Sequence, residues 1–316
     1  MAAARRRKGE KIDGWLVLDK PLGLSSAAAV ARVKRLFGAA KAGHAGTLDP
    51  LATGVLPVAL GEATKTVRFV MDGAKTYRFT VRWGEARATD DAEGEVTGTS
   101  AARPSEAAIA AMLPRFTGEI AQVPPVYSAL KLGGRPAYAR ARAGETPALA
   151  ARRVRVDRFV LEACPDPDHA RFTVQCGKGV YIRSLARDLA QALGTLGHVA
   201  ELRRTAVGKF GEALAIPLDL LDALGHSAAR FGYLRPVETA LDDIPALAVT
   251  DSDCRRLRQG QKVEISRTAE PPTVGLGGLV RATHAGRVVA LARVDGDSLK
   301  PVRVLNLEPG SPGEPD

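Results

Sequence analysis

The residues around one carboxylate of the chain could form a rigid loop that orients it toward a ligand. Asp49 lies in the segment Gly43-His44-Ala45-Gly46-Thr47-Leu48-Asp49-Pro50. Pro50 disfavours helical dihedrals at Asp49, and the two glycines upstream allow the backbone to turn sharply. A carboxylate fixed in this way could stabilise a developing positive charge or act as a nucleophile. The same residues could also form an ordinary Asp-Pro turn, so the spacing alone leaves both interpretations open.

A helix is predicted before Asp49 and a half-buried strand after it. Ser25 and Ser26 precede a helical pattern that ends at Gly38, with apolar positions at Val30, Val33, Leu36 and Phe37. Glycines and Pro50 then indicate a loop over residues 41–50. Apolar and polar residues alternate over residues 76–83, which predicts a strand. Four side chains share its apolar face, namely Tyr77, Phe79, Val81 and Trp83.

A second strand and helix are predicted further along the chain. Residues 172–176 alternate as a strand, Gly177 and Gly179 follow, and a helical pattern then runs to Gly194. Ser105 is placed to cap a short helix. The pattern changes over residues 236–245, after which a short helix and several short strands predict a small β-rich domain.

The charge of the chain favours a polyanionic partner. Lysine and arginine number 45 against 35 aspartates and glutamates, which gives a net charge of +10. RNA, DNA or an acidic membrane would fit this excess, and so would a merely basic soluble protein. Residues 131–158 carry eight basic and two acidic side chains within a Pro- and Gly-rich connection. A long basic connection of this kind usually has a function.

Several classes of protein are disfavoured by the sequence. Cys164, Cys176 and Cys254 are too far apart to indicate a disulfide framework or a cysteine zinc site, and they suggest a reducing compartment. No apolar run reaches the roughly 18 residues that span a bilayer, and the basic start lacks the apolar region of a secretory signal. We find no phosphate-binding loop, dinucleotide fingerprint or metal-ligand motif, so no cofactor or metal is predicted.

The segment around Asp49 resembles the catalytic motif of the TruB family of pseudouridine synthases. The likeness extends over GHAGTLDPLATGVLPVALGEATK, residues 43–65. Further blocks resemble the family in the same order: GWLVLDKPLG at 14–23, PPVYSALK at 124–131, GKGVYIRSL at 177–185 and the run 198–204. Together they cover the chain from about residue 13 to residue 210.

The resemblance implies that uridine 55 in the T-loop of tRNA is converted to pseudouridine without a cofactor. The glycosidic bond breaks, and the uracil turns and is rejoined through carbon 5. Asp49 is then the catalytic carboxylate, and a glycal, a covalent sugar intermediate and attack at ring carbon 6 all remain open. The chain departs from the family pattern at Gly177 and Val180, and neither residue is expected to do the chemistry.

The resemblance also assigns partners to Asp49. Arg183 is expected to pair with it as a planar fork, although an arginine at a helix start could simply be a surface residue. Tyr77 is expected to stack on the uracil, although its strand face could place it in the core. The other residues predicted to bind substrate are Lys20, His44, Tyr181, Leu202, Lys131, Arg135, Arg140 and Arg142. The last four would contact phosphates from a basic arm, because the stacked nucleotide must be flipped out and held.

These observations together predict an α/β (α+β) pseudouridine-synthase fold with a mixed, antiparallel-rich central sheet flanked by helices. The expected division is a disordered basic tail (1–12), a catalytic domain (13–244) with its arm (124–153), a C-terminal domain (245–308) and a disordered tail (309–316). Residues 254–263 resemble the start of a PUA-type RNA-binding domain, with a generic small β-barrel as the alternative.

We expect tRNA, through its T-stem-loop, to be the partner. No membrane and no obligate protein partner are expected, and the enzyme is predicted to be a cytoplasmic monomer. Two other functions fit the sequence. One is a tRNA-binding or tRNA-folding module without catalysis, and the other is a guide-dependent synthase of the dyskerin type.

Overall fold

The computed structural model describes residues 9–128, 130–137, 140, 143, 145, 149–265, 274–275 and 277–307, with the backbone alone for residues 131, 132, 135 and 136. Strands dominate the described chain as far as residue 245. They are β1 (Gly14–Lys20), β2 (Ala42–His44), β3 (Ala52–Leu60), β4 (Lys75–Trp83), β5 (Glu85–Arg87), β6 (Val96–Thr99), β7 (Gly118–Gln122), β8 (Lys131–Leu132), β9 (Arg135–Pro136), β10 (Arg152–Asp166), β11 (His169–Cys176), β12 (Gly197–Val207), β13 (Phe210–Gly211), β14 (Ile216–Pro217) and β15 (Leu234–Arg235). The helices of the same part are α1 (Ser26–Phe37), α2 (Val67–Asp72), α3 (Glu106–Met112), α4 (Ile182–Ala192) and α5 (Leu218–Leu224).

Eleven of these strands form one mixed sheet, whose main order is β14-β1-β3-β12-β4-β11-β10-β7. Most neighbours are antiparallel, while β1 and β14, and β3 and β12, run parallel. The parallel pairing places Leu202 beside Ala52, three residues after Asp49. On the other side of β12, Arg204 lies opposite Tyr77 of β4. The topology therefore brings segments far apart in sequence to one place on the sheet.

Helices α1 and α4 pack on this sheet and share its largest apolar core. α1 begins after Ser25, whose hydroxyl accepts a hydrogen bond from the Ala28 amide, and ends at Gly38, whose φ of +66° favours glycine. It buries Val33 and Phe37 as predicted, while the other two predicted apolar residues, Val30 and Leu36, are half-buried and Ala29 is buried instead. α4 buries Leu185, Ala186 and Leu189 against the same core.

A second sheet begins after residue 245. Its elements are β16 (Ala246–Ala248), α6 (Asp251–Arg258), β17 (Val263–Glu264), β18 (Leu279–His284), β19 (Arg287–Asp295) and β20 (Ser298–Val304). The five strands run in the order β16-β18-β19-β20-β17 and curl into a half-barrel. Leu257, Val280 and Leu299 belong to its own core. Val288 and Leu291 instead pack with Trp15 of the main sheet, so this block has its own core and also a contact surface.

The structure confirms the predicted fold class and the helices after Ser25, Ser105 and Gly179. Two boundaries were wrong. The loop predicted over residues 41–50 contains the short strand β2, because Ala42–His44 pairs with the long strand β3. The predicted tail (1–12) is ordered from residue 9, where Glu10 bridges to Ala39 and Ile12 is buried in the core. Residues 1–8 and 309–316 lie outside the described residues.

Among the described residues, every helix is too short or too polar to cross a bilayer.

Candidate active site

A cleft of about 300 Å³ opens where the Asp49 loop meets β4, β12 and the start of α4. The sequence predicted five of the residues that line it, namely Asp49, Tyr77, Tyr181, Arg183 and Leu202. They come from four separate segments of the chain. The fold therefore assembles in one place most of the residues that the family resemblance assigned to the chemistry.

The Asp49 loop is fixed from behind by Ser26, the first residue of α1. The buried Ser26 hydroxyl donates to the Leu48 carbonyl and accepts from the Leu48 amide, both at 2.8 Å. Gly46 and Gly54 have φ values of +103° and +97°, which side-chain-bearing residues rarely adopt. A Cβ added to Gly54 would approach the Arg204 carbonyl oxygen to 2.2 Å. The loop is thus held rigidly, as a site that orients a carboxylate requires.

Lys20 is the second support of the loop. Its side chain is fully buried, and its ammonium donates to the carbonyls of Leu24 at 2.6 Å, Pro21 at 2.9 Å and Pro50 at 3.4 Å. All three of its protons therefore have protein acceptors, and Lys20 does not line the cleft. The substrate-binding role predicted for Lys20 does not fit this position, because the side chain supports the loop from within.

Burial lowers the pKa of Lys20 from 10.5 to about 8, against the attraction of Asp49. Between these two values the unfolded chain holds a proton that the folded chain has lost, so stability contributed by Lys20 rises with pH through this window. The full effect is on the order of 3 kcal/mol. We expect the denaturant midpoint of unfolding of the wild type to rise relative to that of Lys20→Met as pH rises from 8 to 10. Parallel pH profiles for the two proteins would contradict this.

Arg183 is the ion-pair partner of Asp49. Its Nη2 lies 2.8 Å from Asp49 Oδ2; the arginine side chain is 6% exposed and the aspartate side chain 40% exposed. Nη2 also donates to the Tyr127 carbonyl and Nη1 to the Thr89 carbonyl, both at 2.8 Å. The predicted pair is present, but the planar fork with both oxygens of Asp49 is not, because the guanidinium divides its donors among several acceptors.

Asp91 is a site residue that the sequence analysis missed. Its buried carboxylate approaches Arg183 Nε to 3.5 Å, and its Oδ1 accepts bonds from the Thr89 hydroxyl and the Glu93 amide. Arg183 thus lies between a buried carboxylate and a half-exposed one. The only signal in the sequence is that residues 87–98 are acidic and rich in turn-forming residues, which does not single out one of the four carboxylates of that stretch.

Arg204 and Lys75 also line the cleft and were not predicted as site residues. Arg204 is buried and donates from Nε to the Val55 carbonyl at 2.8 Å and from Nη2 to the Gly46 carbonyl at 2.9 Å. It therefore supports the Asp49 loop from the sheet side. The ammonium of Lys75 is bound to the carbonyls of Met71 and Gly73, and burial lowers its pKa.

Tyr77 lies beside Arg204 on the cleft wall. Burial raises the pKa of the Tyr77 phenol, while the nearby Arg204 opposes the rise. The phenol is therefore neutral at physiological pH and can donate a hydrogen bond. Tyr77 as a whole is half-buried and lines the cleft, so part of the residue remains available to a ligand. Tyr77 also packs against the main apolar core, as the alternative expected, so it belongs to both the core and the cleft wall.

The remaining predicted residues divide into two groups. Tyr181 lines the cleft and is fixed by its backbone, which exchanges two hydrogen bonds with the Gln122 side chain at 2.8 and 3.1 Å. His44 lies outside the cleft lining on β2, where burial lowers its pKa. In the arm, Lys131 and Arg135 lie in the hairpin β8–β9, Arg140 pairs with Glu145 at 2.5 Å, and Arg142 lies outside the described residues.

Comparison with known families gives two adjoining matches. Residues 34–182 match the TruB family pseudouridylate synthase N-terminal domain, and residues 183–242 match the tRNA pseudouridylate synthase B C-terminal domain. Among curated relatives, tRNA pseudouridine synthase B of Bradyrhizobium diazoefficiens is 57% identical, covering 96% of this chain and 88% of the relative. The protein of the same name from Rhodospirillum rubrum is 53% identical, covering 96% of this chain and all of the relative.

Solved structures share the fold. A chain from the crystal structure of a Cbf5-Nop10-Gar1 complex superposes with a TM-score of 0.72 at 28% identity, covering 92% of this chain and 84% of that one. A chain from an H/ACA RNP bound to a substrate RNA containing 2′-deoxyuridine gives a TM-score of 0.72 at 26% identity, with 95% and 87% covered.

Proposed function

The chain belongs to the TruB family of pseudouridylate synthases, and we propose that it converts uridine 55 in the T-loop of tRNA to pseudouridine, with Asp49 as the catalytic carboxylate. One observation carries the assignment of Asp49. Its carboxylate is half-exposed in the cleft, while the arginine that balances its charge is buried behind it. A charged group held on one side and open on the other is suited to act on a ligand.

The chemistry needs a negative charge at the sugar of the flipped nucleotide. When the glycosidic bond breaks, uracil leaves as an anion and positive character develops at the anomeric carbon. Asp49 can stabilise that charge, bond to the carbon, or remove the 2′ proton to give a glycal, and attack at ring carbon 6 is the fourth route. In each case carbon 5 of the rotated uracil bonds to the anomeric carbon and loses its proton, while nitrogen 1 gains a proton. On the glycal route the 2′ proton also returns to the sugar, so the overall reaction is an isomerisation.

In this proposal Tyr77 stacks on the uracil. Its ring borders the same cleft as Asp49, and its neutral phenol can donate a hydrogen bond or take part in proton transfer. Leu202 and Tyr181 line the same cleft. Flipping the nucleotide into this cleft costs on the order of a few kcal/mol, which contacts outside the cleft must offset.

The arm supplies such contacts in this proposal. We expect Arg140→Glu combined with Arg142→Glu to weaken tRNA binding and to flatten its dependence on salt. Each lost phosphate contact lowers the slope of log affinity against log salt by roughly one. Binding measured at several salt concentrations tests this. Lys34→Glu with Arg35→Glu, in the last turn of α1, reverses the same number of charges and controls for net charge. An equal slope in the arm variant and the wild type would contradict a role in RNA binding.

The division of the chain follows the same proposal. Residues 13–244 form the catalytic domain and residues 245–308 a PUA-like RNA-binding domain, with its own core around Leu257 and Leu299. The enzyme acts as a cytoplasmic monomer on the T-stem-loop and needs no obligate protein partner.

A guide-dependent synthase is the second candidate, because the superposable solved structures come from complexes with partner proteins. The relatives named tRNA pseudouridine synthase B are more similar and match nearly the whole chain, which favours the stand-alone enzyme. A binding module without catalysis is disfavoured because Asp49, Tyr77 and Arg183 all meet in one cleft.

An RNA hairpin with the sequence of the T-stem-loop distinguishes these functions. We expect the purified protein, without guide RNA or any second protein, to convert the single uridine at position 55 of the hairpin. A matched hairpin with cytidine at that position should bind but give no product. Conversion only after a guide RNA is added would indicate the guide-dependent class, and binding without conversion would indicate the non-catalytic one.

A further inference from the structure

Two arginines one turn apart on α4 each connect the same two segments of the chain. Arg183 donates to the Thr89 carbonyl and to the Tyr127 carbonyl, both at 2.8 Å. Arg187 donates from Nη1 to the Asp90 carboxylate and from Nη2 to the Val123 carbonyl, both at 2.9 Å. Residues at i and i+4 lie on one face of a helix. One face of α4 therefore carries two guanidinium groups, and each of them bonds both to the turn at residues 89–90 and to the segment 123–127 that follows β7.

The first gripped segment is the acidic turn that faces Arg183. Asp90 has a φ of +60°, which is uncommon for a residue with a side chain and persists only when surrounding contacts hold it. Its carbonyl accepts from the Val199 amide at 3.1 Å, and its carboxylate bonds to Arg187. The next residue, Asp91, presents its carboxylate to Arg183. Arg187 thus holds Asp90 in the turn, and the next residue, Asp91, contacts Arg183, the partner of Asp49.

The second gripped segment is the root of the basic arm. The Val123 carbonyl accepts from Arg187 and also from the Ser184 hydroxyl at 2.7 Å. Val123 immediately precedes the arm (124–153), and the Tyr127 carbonyl within it accepts from Arg183. A displacement of the arm at this root would consequently alter hydrogen bonds of both arginines.

We propose that Arg187, paired with Asp90, is a positioning residue that sets the place of Arg183 and couples the root of the arm to the aim of Asp49. The inference rests on the proposed roles of Asp49 and of the basic arm. Arg187 does not line the cleft, so it acts through its neighbours and not on the substrate. In this arrangement, binding of the arm to RNA stabilises the hydrogen bonds of Arg183 and Arg187 to the root of the arm. The same hydrogen bonds keep Arg183 in position to pair with Asp49.

The test is the single-turnover rate constant with enzyme in excess over tRNA, together with tRNA affinity. Asp90→Asn removes the charge but keeps a residue that tolerates a positive φ, and Arg187→Met removes the guanidinium. We expect each variant to lower the rate constant on the order of tenfold, since misplacement of a reacting group lowers the rate of the chemical step more than it lowers tRNA affinity. Affinity should stay within about twofold of the wild type. Because enzyme is in excess, a loss of folded protein alone leaves the rate constant of the remaining molecules unchanged.

The pairing of Arg187 with Asp90 is tested by combining the two changes. The double variant Asp90→Asn with Arg187→Met should be no slower than the slower single variant, because both remove one interaction. Arg187→Lys keeps the charge beside Asp90 but cannot bridge to Val123 in the same way, so it should recover only part of the rate. Arg32→Met, which breaks the more exposed pair of Arg32 with Asp222, is the matched control and should leave the rate unchanged.

Wild-type rate constants in Asp90→Asn and Arg187→Met would overturn the inference, and so would losses that multiply in the double variant. A loss confined to tRNA affinity would overturn it as well. Asp49→Asn in the same assay separates this result from the underlying proposal. If Asp49→Asn is inactive while the Arg187 variants are normal, only the positioning role fails. An active Asp49→Asn would instead refute the proposed function.

Discussion

Asp49→Asn is expected to abolish pseudouridine formation while leaving tRNA affinity nearly unchanged. The amide keeps the size and shape of the side chain but lacks the negative charge that every proposed route requires. Loss of a group that stabilises charge in the transition state costs rates of about a thousandfold or more. Binding should survive because the loop is held by Ser26, Lys20 and Arg204 and not by the carboxylate itself.

The measurement is a single-turnover assay on an unmodified tRNA transcript, with affinity determined separately. Asp222→Asn is a suitable control, since it removes another carboxylate that pairs with an arginine, Arg32, at a partly exposed position. It should behave as the wild type. Activity of Asp49→Asn within tenfold of the wild type would mean that another residue supplies the essential charge.

Substitution of Arg183 is expected to have the second largest effect. Lysine would keep one positive charge near Asp49, but an ammonium is a point donor and cannot serve acceptors spread around a planar guanidinium. Arg183 serves Asp49, the Thr89 carbonyl and the Tyr127 carbonyl together, with Asp91 beside its Nε. We therefore expect Arg183→Lys to lower the single-turnover rate about a hundredfold, because the Asp49 carboxylate is no longer held in its orientation although a positive charge remains beside it.

Arg183→Met should be slower still, since it leaves the buried Asp91 without a counter-charge as well as misaligning Asp49. Some of that loss should appear as reduced stability, so the two variants are compared by their rate constants with enzyme in excess. A wild-type rate constant in Arg183→Lys would refute the orienting role of the guanidinium. Equal rate constants in the Lys and Met variants would show that the positive charge contributes nothing.

The sequence predicts local features of this protein well. The stop of α1 at Gly38 and the strand β4 follow from nearest neighbours along the chain, and the structure has both, although Thr80 on the polar face of β4 is buried. The Asp49 motif could be identified because its glycines, aspartate and proline are contiguous. The partners of Asp49 came from the family resemblance, since no spacing rule connects residue 49 to residue 183.

Contacts that depend on the three-dimensional arrangement were not predicted. Arg204 supports the Asp49 loop only because β12 runs parallel to β3 at that point. Lys20 was predicted to bind substrate, yet its ammonium donates to two carbonyls of the turn that follows it, those of Pro21 and Leu24, and to the Pro50 carbonyl of the Asp49 loop. Asp91 is one carboxylate among several in an acidic stretch, and its importance becomes visible only when α4 brings Arg183 to it.

The most direct test is to map pseudouridine at single-nucleotide resolution in an unmodified tRNA transcript after incubation with the purified protein alone. Asp49→Asn protein is treated in parallel. We expect complete conversion at position 55 with the wild type, no conversion at other uridines, and none anywhere with Asp49→Asn. Pseudouridine at a different position, or equal conversion by the Asp49→Asn protein, would contradict the proposed function.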